Sequence, residues 1–475
     1  MRARSKWSVA PCLIVCAVAT GSACGDPELV TPPPSPVPYY TSGTRLRAHV
    51  LDAGGGAVAL QDWHDDALDT YCTIRKTDVG YRCVPYGSPT SLFNDPGCTV
   101  PVLVGAPPSD WIIVTTGDEC GDEETYRVFK VGPAHPNAAT YVRAGDGSCA
   151  PQTVDSSVAF DLTSAEDALE PMTTSTVRLG ALDAIVARGE DGSSQVVRVE
   201  DHATGIRCVE AGGPTAANGV DACVPWNTQD DVEAYFTTPD CTGDDSGVFT
   251  CWSTECKSPS VAVHVDTEGC ASSVSFVRVD PAPTQAYAMI DGAPCEAVTF
   301  GPCLFRASTT TVDPMTFPAL AHARIGTGRI ALDTLTPKGQ ATAVLELGTF
   351  ADTTTKQACE LKNVDELRCL PRTVDVNPGL SWYSDPACTT RVAPNFLGDA
   401  LCGDQPTVAL LRDQPDGTVV VAAPIKAIYA LGAAVMADVY AFAGGVCANQ
   451  GPRSIYELGA ALDPTDFPAI EDRVE

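Results

Sequence analysis

Three sets of cysteine-containing words recur along the chain, and they constrain the fold more than any other feature. The first set reads Tyr81-Arg82-Cys83-Val84-Pro85, Asn94-Asp95-Pro96-Gly97-Cys98 and Cys120-Gly121-Asp122. The last set reads Leu367-Arg368-Cys369-Leu370-Pro371, Ser384-Asp385-Pro386-Ala387-Cys388 and Cys402-Gly403-Asp404. A looser set between them reads Ile206-Arg207-Cys208-Val209, Thr238-Pro239-Asp240-Cys241 and Cys256. This recurrence predicts three diverged copies of one cysteine-stapled unit.

Further sequence motifs mark the beginning and the end of each of the three copies. The copies open at Arg45, Arg178 and Arg324, and they close on similar Asp-Pro or Glu-Pro words near Pro171, Pro314 and Pro464. We therefore predict a first repeat at 45–176, a second at 177–322 and a third at 323–475. Ahead of them lie a signal segment at 1–23 and a linker at 24–44.

The hydrophobic pattern inside each repeat indicates strands. Segments of five to eight residues alternate apolar and polar side chains, and Gly, Pro, Asn or Asp clusters separate them. Even the most helix-like window, Lys426 to Phe442, is rich in Val, Tyr and Ala and is predicted to be a strand. The pattern predicts an all-β protein with about eight strands per repeat. The repeats form either a closed six-bladed β-propeller-like body or three serial β-sandwich domains.

Hairpin geometry suggests which cysteines pair. Cys72 with Cys83, and Cys359 with Cys369, flank predicted hairpins and suit disulfide geometry. The next pairs expected are Cys98–Cys120 and Cys388–Cys402. The second repeat is predicted to lack the first hairpin cysteine, and its extra cysteines, together with Cys149 and Cys447, have no assigned mate.

The N-terminus is typical of an exported protein. A basic head, an apolar run from Val9 to Thr20 and the small residues before Cys24 predict a secretory signal peptide. Cys24 is predicted to be lipidated, although Gly21 stands where lipid-attachment motifs usually carry Leu, Val or Ile, so simple secretion is the alternative. Two of the 21 cysteines lie in the signal segment; with Cys24 lipidated, an even eighteen remain. The Pro-rich stretch 27–43 predicts an extended spacer.

Charge and composition narrow the partners. The chain has 30 basic and 60 acidic residues. The resulting excess of negative charge repels phosphate backbones and argues against nucleic acid as a partner. The acidic loops Asp118 to Glu124 and Asp240 to Asp245 leave weak calcium binding open, but neither has the alternating spacing of a calcium loop. No cofactor is predicted, and the sequence does not indicate an oligomeric state.

Catalytic motifs are not recognisable in the sequence. It has no Gly-x-Ser-x-Gly, His-Glu-x-x-His or P-loop pattern. The six histidines (His49, His64, His135, His202, His264 and His322) fall at unrelated places in the repeats. Trp63 and Trp382 stand beside carboxylates, a combination that suits sugar binding, although buried aromatic residues more often fill a core. We predict no catalytic residue and no metal site.

With these words in place, the chain resembles the Cys-rich, repeat-containing exported lipoproteins of myxobacteria and their relatives. The resemblance extends over roughly residues 20 to 470. It implies a lipid-anchored protein of the bacterial cell envelope, facing the periplasm or the cell surface, and it implies no activity. Three functions follow as hypotheses: a binding or scaffold module for a glycan or protein, an extracellular hydrolase on a propeller scaffold, or a purely structural envelope protein.

Overall fold

The computed structural model shows a chain made of β-strands and turns. It describes residues 38–105, 107, 109–117, 124–136, 139–143, 148–154, 158–211, 221–225, 238–241, 248–250, 261–268, 271–281, 286–288, 295–298, 304–340, 343–376, 382–395, 406–412, 424–443 and 446–475. Within these ranges there is no α-helix, and no helix is long and apolar enough to cross a membrane. The all-β prediction is therefore confirmed for the part of the chain that is described.

The described strands are more numerous than the sequence pattern predicted, and they vary from 2 to 19 residues in length. The first part holds β1 (Tyr40–Thr41), β2 (Leu46–Asp52), β3 (Val58–Asp65), β4 (Thr70–Thr77), β5 (Gly80–Pro85), β6 (Ser88–Pro89), β7 (Leu92–Phe93), β8 (Val102–Val104), β9 (Trp111–Gly117), β10 (Glu124–Pro136), β11 (Thr140–Arg143), β12 (Cys149–Gln152) and β13 (Val158–Ser164). The middle part holds β14 (Pro171–Leu179), β15 (Leu182–Gly189), β16 (Ser194–Asp201), β17 (Ile206–Ala211), β18 (Ala222–Pro225), β19 (Val248–Thr250), β20 (Val261–Glu268), β21 (Ala271–Pro281), β22 (Ala286–Ala288), β23 (Glu296–Val298) and β24 (Leu304–Val312).

The last part has the same character and includes one long hairpin. It holds β25 (Leu320–Ile325), β26 (Ile330–Pro337), β27 (Glu346–Asp352), β28 (Gln357–Ala358), β29 (Glu360–Asn363), β30 (Leu367–Leu370), β31 (Thr373–Val376), β32 (Trp382–Tyr383), β33 (Arg391–Pro394), β34 (Val408–Arg412), β35 (Ile425–Ala443), β36 (Val446–Leu462) and β37 (Glu471–Val474). Three 3₁₀ turns lie at Glu166–Ala168, Pro314–Thr316 and Pro464–Asp466. The second and third begin at the proline of the closing Asp-Pro motif, and the first lies just before the Glu170-Pro171 motif. The window predicted as a strand at Lys426 to Phe442 lies in β35.

One antiparallel strand pair recurs in all three repeats with the same register. Leu46 pairs with Asp65 across β2 and β3, Leu182 pairs with Asp201 across β15 and β16, and Ile330 pairs with Asp352 across β26 and β27. Each of the three ladders also shifts register at a bulge two to four residues further on. Because bulges re-aim a strand at a fixed place, their recurrence indicates one ancestral hairpin.

This register corrects the sequence-based alignment of the repeat openings. The equivalents of Arg45 are Ala181 and Arg329, because each of the three carbonyl groups accepts a hydrogen bond from the amide after the paired aspartate. Arg178 and Arg324 instead lie one strand earlier, on β14 and β25. The similar Arg-Leu and Arg-Ile words hid this offset, which only the strand pairing reveals.

A disulfide closes the hairpin that follows in each repeat. Cys72 bonds Cys83 and Cys359 bonds Cys369, the two pairs that the predicted hairpins suggested. Cys208 bonds Cys223 in the same way, and Cys208 pairs with Pro225 as Cys72 pairs with Pro85. The second repeat therefore has its first hairpin cysteine, Cys208. Cys208 is the equivalent of Cys72, and not of Cys83 as the sequence motifs suggested.

A second disulfide in each repeat corrects two predicted pairs. Cys98 bonds Cys149 rather than Cys120, and Cys388 bonds Cys447 rather than Cys402. The middle repeat has the equivalent bond between Cys241 and Cys295. The loops closed are 51, 54 and 59 residues long, so nearness in sequence was a poor guide to the mate. Cys120 and Cys402 lie outside the described residues.

The first cysteine of each of these bonds has the same strained backbone. Cys98, Cys241 and Cys388 have φ values of +50°, +49° and +53°, in the left-handed region that non-glycine residues rarely adopt. Each amide donates to the carbonyl oxygen three residues before it. In the first and third repeats the side chains of Asp95 and Asp385 also accept backbone hydrogen bonds across the turn. The Asp-Pro-x-Cys word is thus a turn that aims a cysteine at a distant strand.

The repeats are joined strand to strand. β5 pairs with β14 where Arg82 faces Pro171, and isolated bridges join Ala222 to Ala319 and Arg368 to Ala469. The C-terminal strand β37 pairs with β2, with Val474 facing His49, in the place that β14 and β25 take in the other two repeats. The described sheets do not close into a propeller.

Buried residues from neighbouring repeats share core clusters. The first cluster joins β2 to β5 with Met172 and Ala187, and the second joins β14 to β16 with Leu320 and Leu335. The third joins Ala57 and Ala59 with the fully buried Leu332 and its neighbours on β26 and β27. Each repeat therefore packs against both of the others.

Candidate functional site

Alternation along β3 and β4 separates a core face from an outer face in the first repeat. Trp63 is buried, and its indole nitrogen donates to Gln195 Oε1 at 2.8 Å. Cys72 and Ile74 pack beside it. Because strand side chains alternate, His64 and Tyr71 lie on the opposite face. Trp63 therefore fills the core, as the sequence analysis expects more often of such aromatic residues, and the residues that could meet a ligand are its neighbours.

A histidine on β2 is held between two carboxylates on this outer face. His49 Nδ1 lies 2.6 Å from Asp62 Oδ1 on β3, and His49 Nε2 contacts Asp472 on β37. Burial disfavours the charged ring, but the hydrogen bonds with Asp62 and Asp472 outweigh it and raise the pKa of His49. Both ring nitrogens are engaged, so the ring links three strands.

Tyr86 extends the network to the surface. Its hydroxyl donates to the other oxygen of Asp62, Oδ2, at 3.0 Å. Burial and the nearby Asp62 carboxylate raise the pKa of Tyr86 to about 12, so the phenol stays protonated. Tyr86 as a whole remains 54% exposed, so part of the residue is available to a ligand.

A second tyrosine packs against two of the histidine rings. The ring centroid of Tyr71 lies 4.8 Å from that of His49 and 5.1 Å from that of His64. His64 is oriented in turn by Asp66, at 2.9 Å from its Nδ1. Tyr71 is 42% exposed and is fixed next to the Cys72–Cys83 disulfide. We call Tyr71, Tyr86, His49, His64 and Asp62 the tyrosine surface.

The other two repeats do not reproduce the tyrosine surface. Counting from the matched registers, Tyr71 corresponds to Arg207 and Ala358, since each directly precedes the first hairpin cysteine. His64 corresponds in the same way to Glu200 and Ala351, which directly precede the paired aspartates. The frame is common to all three repeats, while this set of side chains belongs to the first.

Other residues singled out from the sequence lie elsewhere. His202 Nδ1 lies 2.7 Å from Asp183, and His135 and His322 each have a carboxylate within 4 Å; none of them joins the tyrosine surface. Trp382 is half-buried on β32 and pairs with β33 and β35. Cys24, the side chain of His264 and most of both acidic loops lie outside the described residues. In the described ranges, no group of three or more His, Cys, Asp or Glu side chains could hold a metal ion.

Sequence reasoning missed four members of the network. Tyr71, Tyr86, Asp62 and Asp472 carried no motif, and Asp472 is more than 400 residues from His49. One signal was present: Tyr71, Thr73 and Arg75 alternate with core residues, which marks them as one outer face. Nothing in the sequence showed which polar residues on the neighbouring strands would meet them.

Comparison with known proteins places the chain in a family. The model of a family described as a family of unknown function (DUF7481) matches residues 17–467. No curated protein and no solved structure matches the chain significantly.

Proposed function

We propose, from the premise that the chain belongs to this DUF7481 family, that it is an exported envelope protein that binds a polysaccharide. The observation that carries the proposal is the tyrosine surface, which has two exposed phenol rings on a disulfide-stapled sheet. A sugar presents apolar C–H faces and hydroxyl groups. Tyrosine rings offer apolar contact with a polar tip, and the partly exposed His64 adds a hydrogen-bonding group.

Rigidity supports the proposal because a preorganised surface loses little conformational entropy when a ligand binds. Tyr71 is fixed by the His49 and His64 rings, and the Tyr86 hydroxyl is fixed by Asp62. Functional side chains are commonly added to one copy of a common frame, since fold and function are separable. The absence of this set from the equivalent positions of the other repeats fits that expectation.

The compartment follows in part from the disulfides. Six disulfides in the described residues indicate an oxidising environment outside the cytoplasm. The finer proposal is that Cys24 carries lipid and that the Pro-rich linker lifts the body from a membrane. Labelling of expressing cells with a clickable fatty acid should mark the wild type and should not mark Cys24→Ser; labelling of both proteins would remove Cys24 as the anchor.

We also propose that the repeats form one closed body rather than serial sandwiches. The strand β37 comes from the end of the chain and occupies, beside β2, the place that β14 and β25 occupy in their own repeats. Core clusters shared between every pair of repeats support this arrangement. The more detailed expectation is that this closed body has six propeller-like blades, and a crystal structure of the full chain would test it.

The binding proposal is tested with the full-length, oxidised protein on an array of bacterial and plant polysaccharides. At least one glycan should bind, and Tyr71→Ala and Tyr86→Ala should each weaken its binding about tenfold, which corresponds to about 1.4 kcal/mol. Met315→Ala and Met436→Ala remove other exposed apolar side chains and serve as matched controls. An empty array would reject the proposal in favour of a structural envelope protein, and shortening of a bound glycan would favour a hydrolase.

A further inference from the structure

We infer that the tyrosine surface continues into a cationic subsite at Arg75 and Arg82, and that its ligand is an acidic polysaccharide with carboxylate groups. This inference rests on the proposed polysaccharide-binding function and names the class of ligand. It comes from a charge arrangement on β4 and β5 whose two cations form no ion pair with any of the described residues. It is supported by a second copy of the arrangement in the third repeat.

Arg75 and Arg82 face each other directly across the β4–β5 ladder. Like charges in directly opposed positions destabilise a pair of strands. Among the described residues neither guanidinium forms an ion pair: Arg75 Nε contacts Thr73 Oγ1 at 3.4 Å, and an Arg82 Nη donates to the carbonyl oxygen of Tyr81. Arg82 Nε is buried and has no acceptor. A buried donor without an acceptor is rare in proteins, so an acceptor that is not part of the described residues is expected there.

In the third repeat, two cations at the equivalent hairpin positions are neutralised by carboxylates of the chain itself. Lys362 faces Arg368 across β29 and β30, the same hairpin positions as Arg75 and Arg82. Arg368 donates to Asp365 and Glu366, and Lys362 pairs with Glu360. Three carboxylates therefore neutralise two cations there. In the second repeat the corresponding residues, Ala211 and Ala222, are uncharged and also face each other.

In the first repeat, no described carboxylate forms an ion pair with Arg75 or Arg82. The nearest hairpin-turn acid, Asp78, is paired with Arg127 on β10, at 3.6 Å. Glu166 lies close enough to Arg82 to interact electrostatically without forming an ion pair with it. Carboxylates satisfy the equivalent cations in the third repeat, so the missing partner has the chemistry of a carboxylate.

The cationic subsite is continuous with the tyrosine surface. Arg75 and Tyr71 are four residues apart on β4 and face the same way, which separates them by ~14 Å along the strand. The Arg75 guanidinium lies 5.7 Å from the ring centroid of Tyr126 and is close enough to Tyr86 to act on it electrostatically. A sugar chain lying along β4 would contact aromatic rings with its apolar faces and Arg75 with an acidic substituent.

The net charge of the chain opposes an acidic ligand at long range. At physiological ionic strength, however, interactions between exposed charges are screened beyond ~8 Å. A guanidinium–carboxylate contact at hydrogen-bond distance is screened much less and is stronger than a neutral hydrogen bond. Recognition is therefore a local contact, and it depends on Arg75 and Arg82 themselves.

The test compares polygalacturonate with its fully methyl-esterified form, which has the same backbone without the charge. The full-length oxidised protein should bind polygalacturonate at least tenfold more tightly, and Arg75→Gln should reduce that preference about tenfold. Arg82→Gln should act in the same direction. Arg188→Gln, at an exposed arginine of the second repeat, should leave the preference unchanged.

Each other outcome overturns a defined part of the inference. Equal binding of the two polymers, or a preference that survives in Arg75→Gln, would overturn the cationic subsite while leaving the polysaccharide proposal standing. Equal affinity for poly-L-glutamate would overturn the polysaccharide as the ligand. Thermal melting that matches the wild type would show that the variants fold, so a loss of preference would then support the subsite.

Discussion

His49 Nδ1 lies 2.6 Å from Asp62 Oδ1, and the opposite nitrogen of the same ring contacts Asp472 on the C-terminal strand. One imidazole ring thus joins β2, β3 and β37. The pairing of β37 with β2 is a short ladder of four residue pairs, and Arg473 adds an ion pair with Asp52. The charge state of His49 therefore contributes to how firmly the end of the chain is held beside the tyrosine surface.

The first prediction concerns pH. Because the pKa of His49 is raised above its ordinary value of 6.5, its stabilising contribution is fully present below about pH 6.5 and is lost as pH rises through the folded-state pKa. Thermal stability of the wild type should fall over that interval, and hydrogen exchange at residues 471–475 should accelerate. His49→Gln should be less stable below pH 6.5 and should lose this pH dependence.

The control for the pH experiment is His202→Gln, at an exposed histidine that is also paired with an aspartate, Asp183. It should leave the difference between low and high pH in place. A wild-type melting temperature that rises through the same interval, or an unchanged profile in His49→Gln, would contradict the role given to His49.

The second prediction concerns Arg45, which joins the first repeat to the second repeat's opening. Its guanidinium donates to both oxygens of Asp65, which is fully buried, and to Glu170. Arg45→Met should lower the free energy of unfolding by about 3–5 kcal/mol, because it leaves the Asp65 charge buried without a cation, held only by the backbone amides of Ala67 and Leu68. Urea denaturation measures the loss.

The third repeat supplies the matched control for Arg45. Arg329 makes the equivalent ion pair with Asp352, but Arg329 is about half exposed and has no second carboxylate there. Arg329→Met should therefore cost markedly less than Arg45→Met. Equal losses would show that burial and the contact with Glu170 add nothing.

The third prediction concerns the Cys98–Cys149 disulfide. Peptide mapping of the unreduced protein should recover this bond, and not a bond from Cys98 to Cys120. Cys98→Ser/Cys149→Ser opens a 51-residue loop and should cost ~4 kcal/mol by increasing the entropy of the unfolded chain. Removing the Cys72–Cys83 disulfide, which closes a loop of only 11 residues, should cost about 1 kcal/mol less. Denaturation midpoints that rank the two variants in the opposite order would refute the loop-length argument.

The fourth prediction concerns the C-terminal strand. Deleting residues 471–475 should remove the partner of β2, lower the melting temperature and expose an unpaired strand edge that promotes association. Light scattering and thermal melting would measure both effects. Asp472→Asn keeps the strand and removes only its charge, so it should lose part of the stability and remain monodisperse if the wild type is. A truncated protein with wild-type melting would sink the closed-body proposal.

The sequence was a good guide wherever the signal was local. The hairpin disulfides Cys72–Cys83 and Cys359–Cys369 followed from two cysteines about ten residues apart on alternating strands. The strand at β35 followed from β-branched and aromatic content. These inferences succeeded because strand alternation and hairpin geometry act between near neighbours in the chain.

The sequence was a poor guide to long-range pairing. Cys149 and Cys447 had no assigned mate because their partners lie 51 and 59 residues away. The motif Arg-Cys-Val led to the wrong equivalence for Cys208, because it lies on the second strand of the hairpin in the first repeat and on the first strand in the second repeat. Many arrangements satisfy the same list of cysteines, and chain entropy alone does not select among them.

By itself, the sequence determined that the chain is built of strands, that it carries three related copies and that its cysteines belong to an oxidising compartment, because composition, alternation and recurrence are local properties. Only the tertiary structure decided which copies of each strand correspond, that β37 completes the first repeat and that Asp472 meets His49. Those relations depend on hydrogen-bond register and on burial between segments hundreds of residues apart, and neither leaves a pattern in the order of the residues.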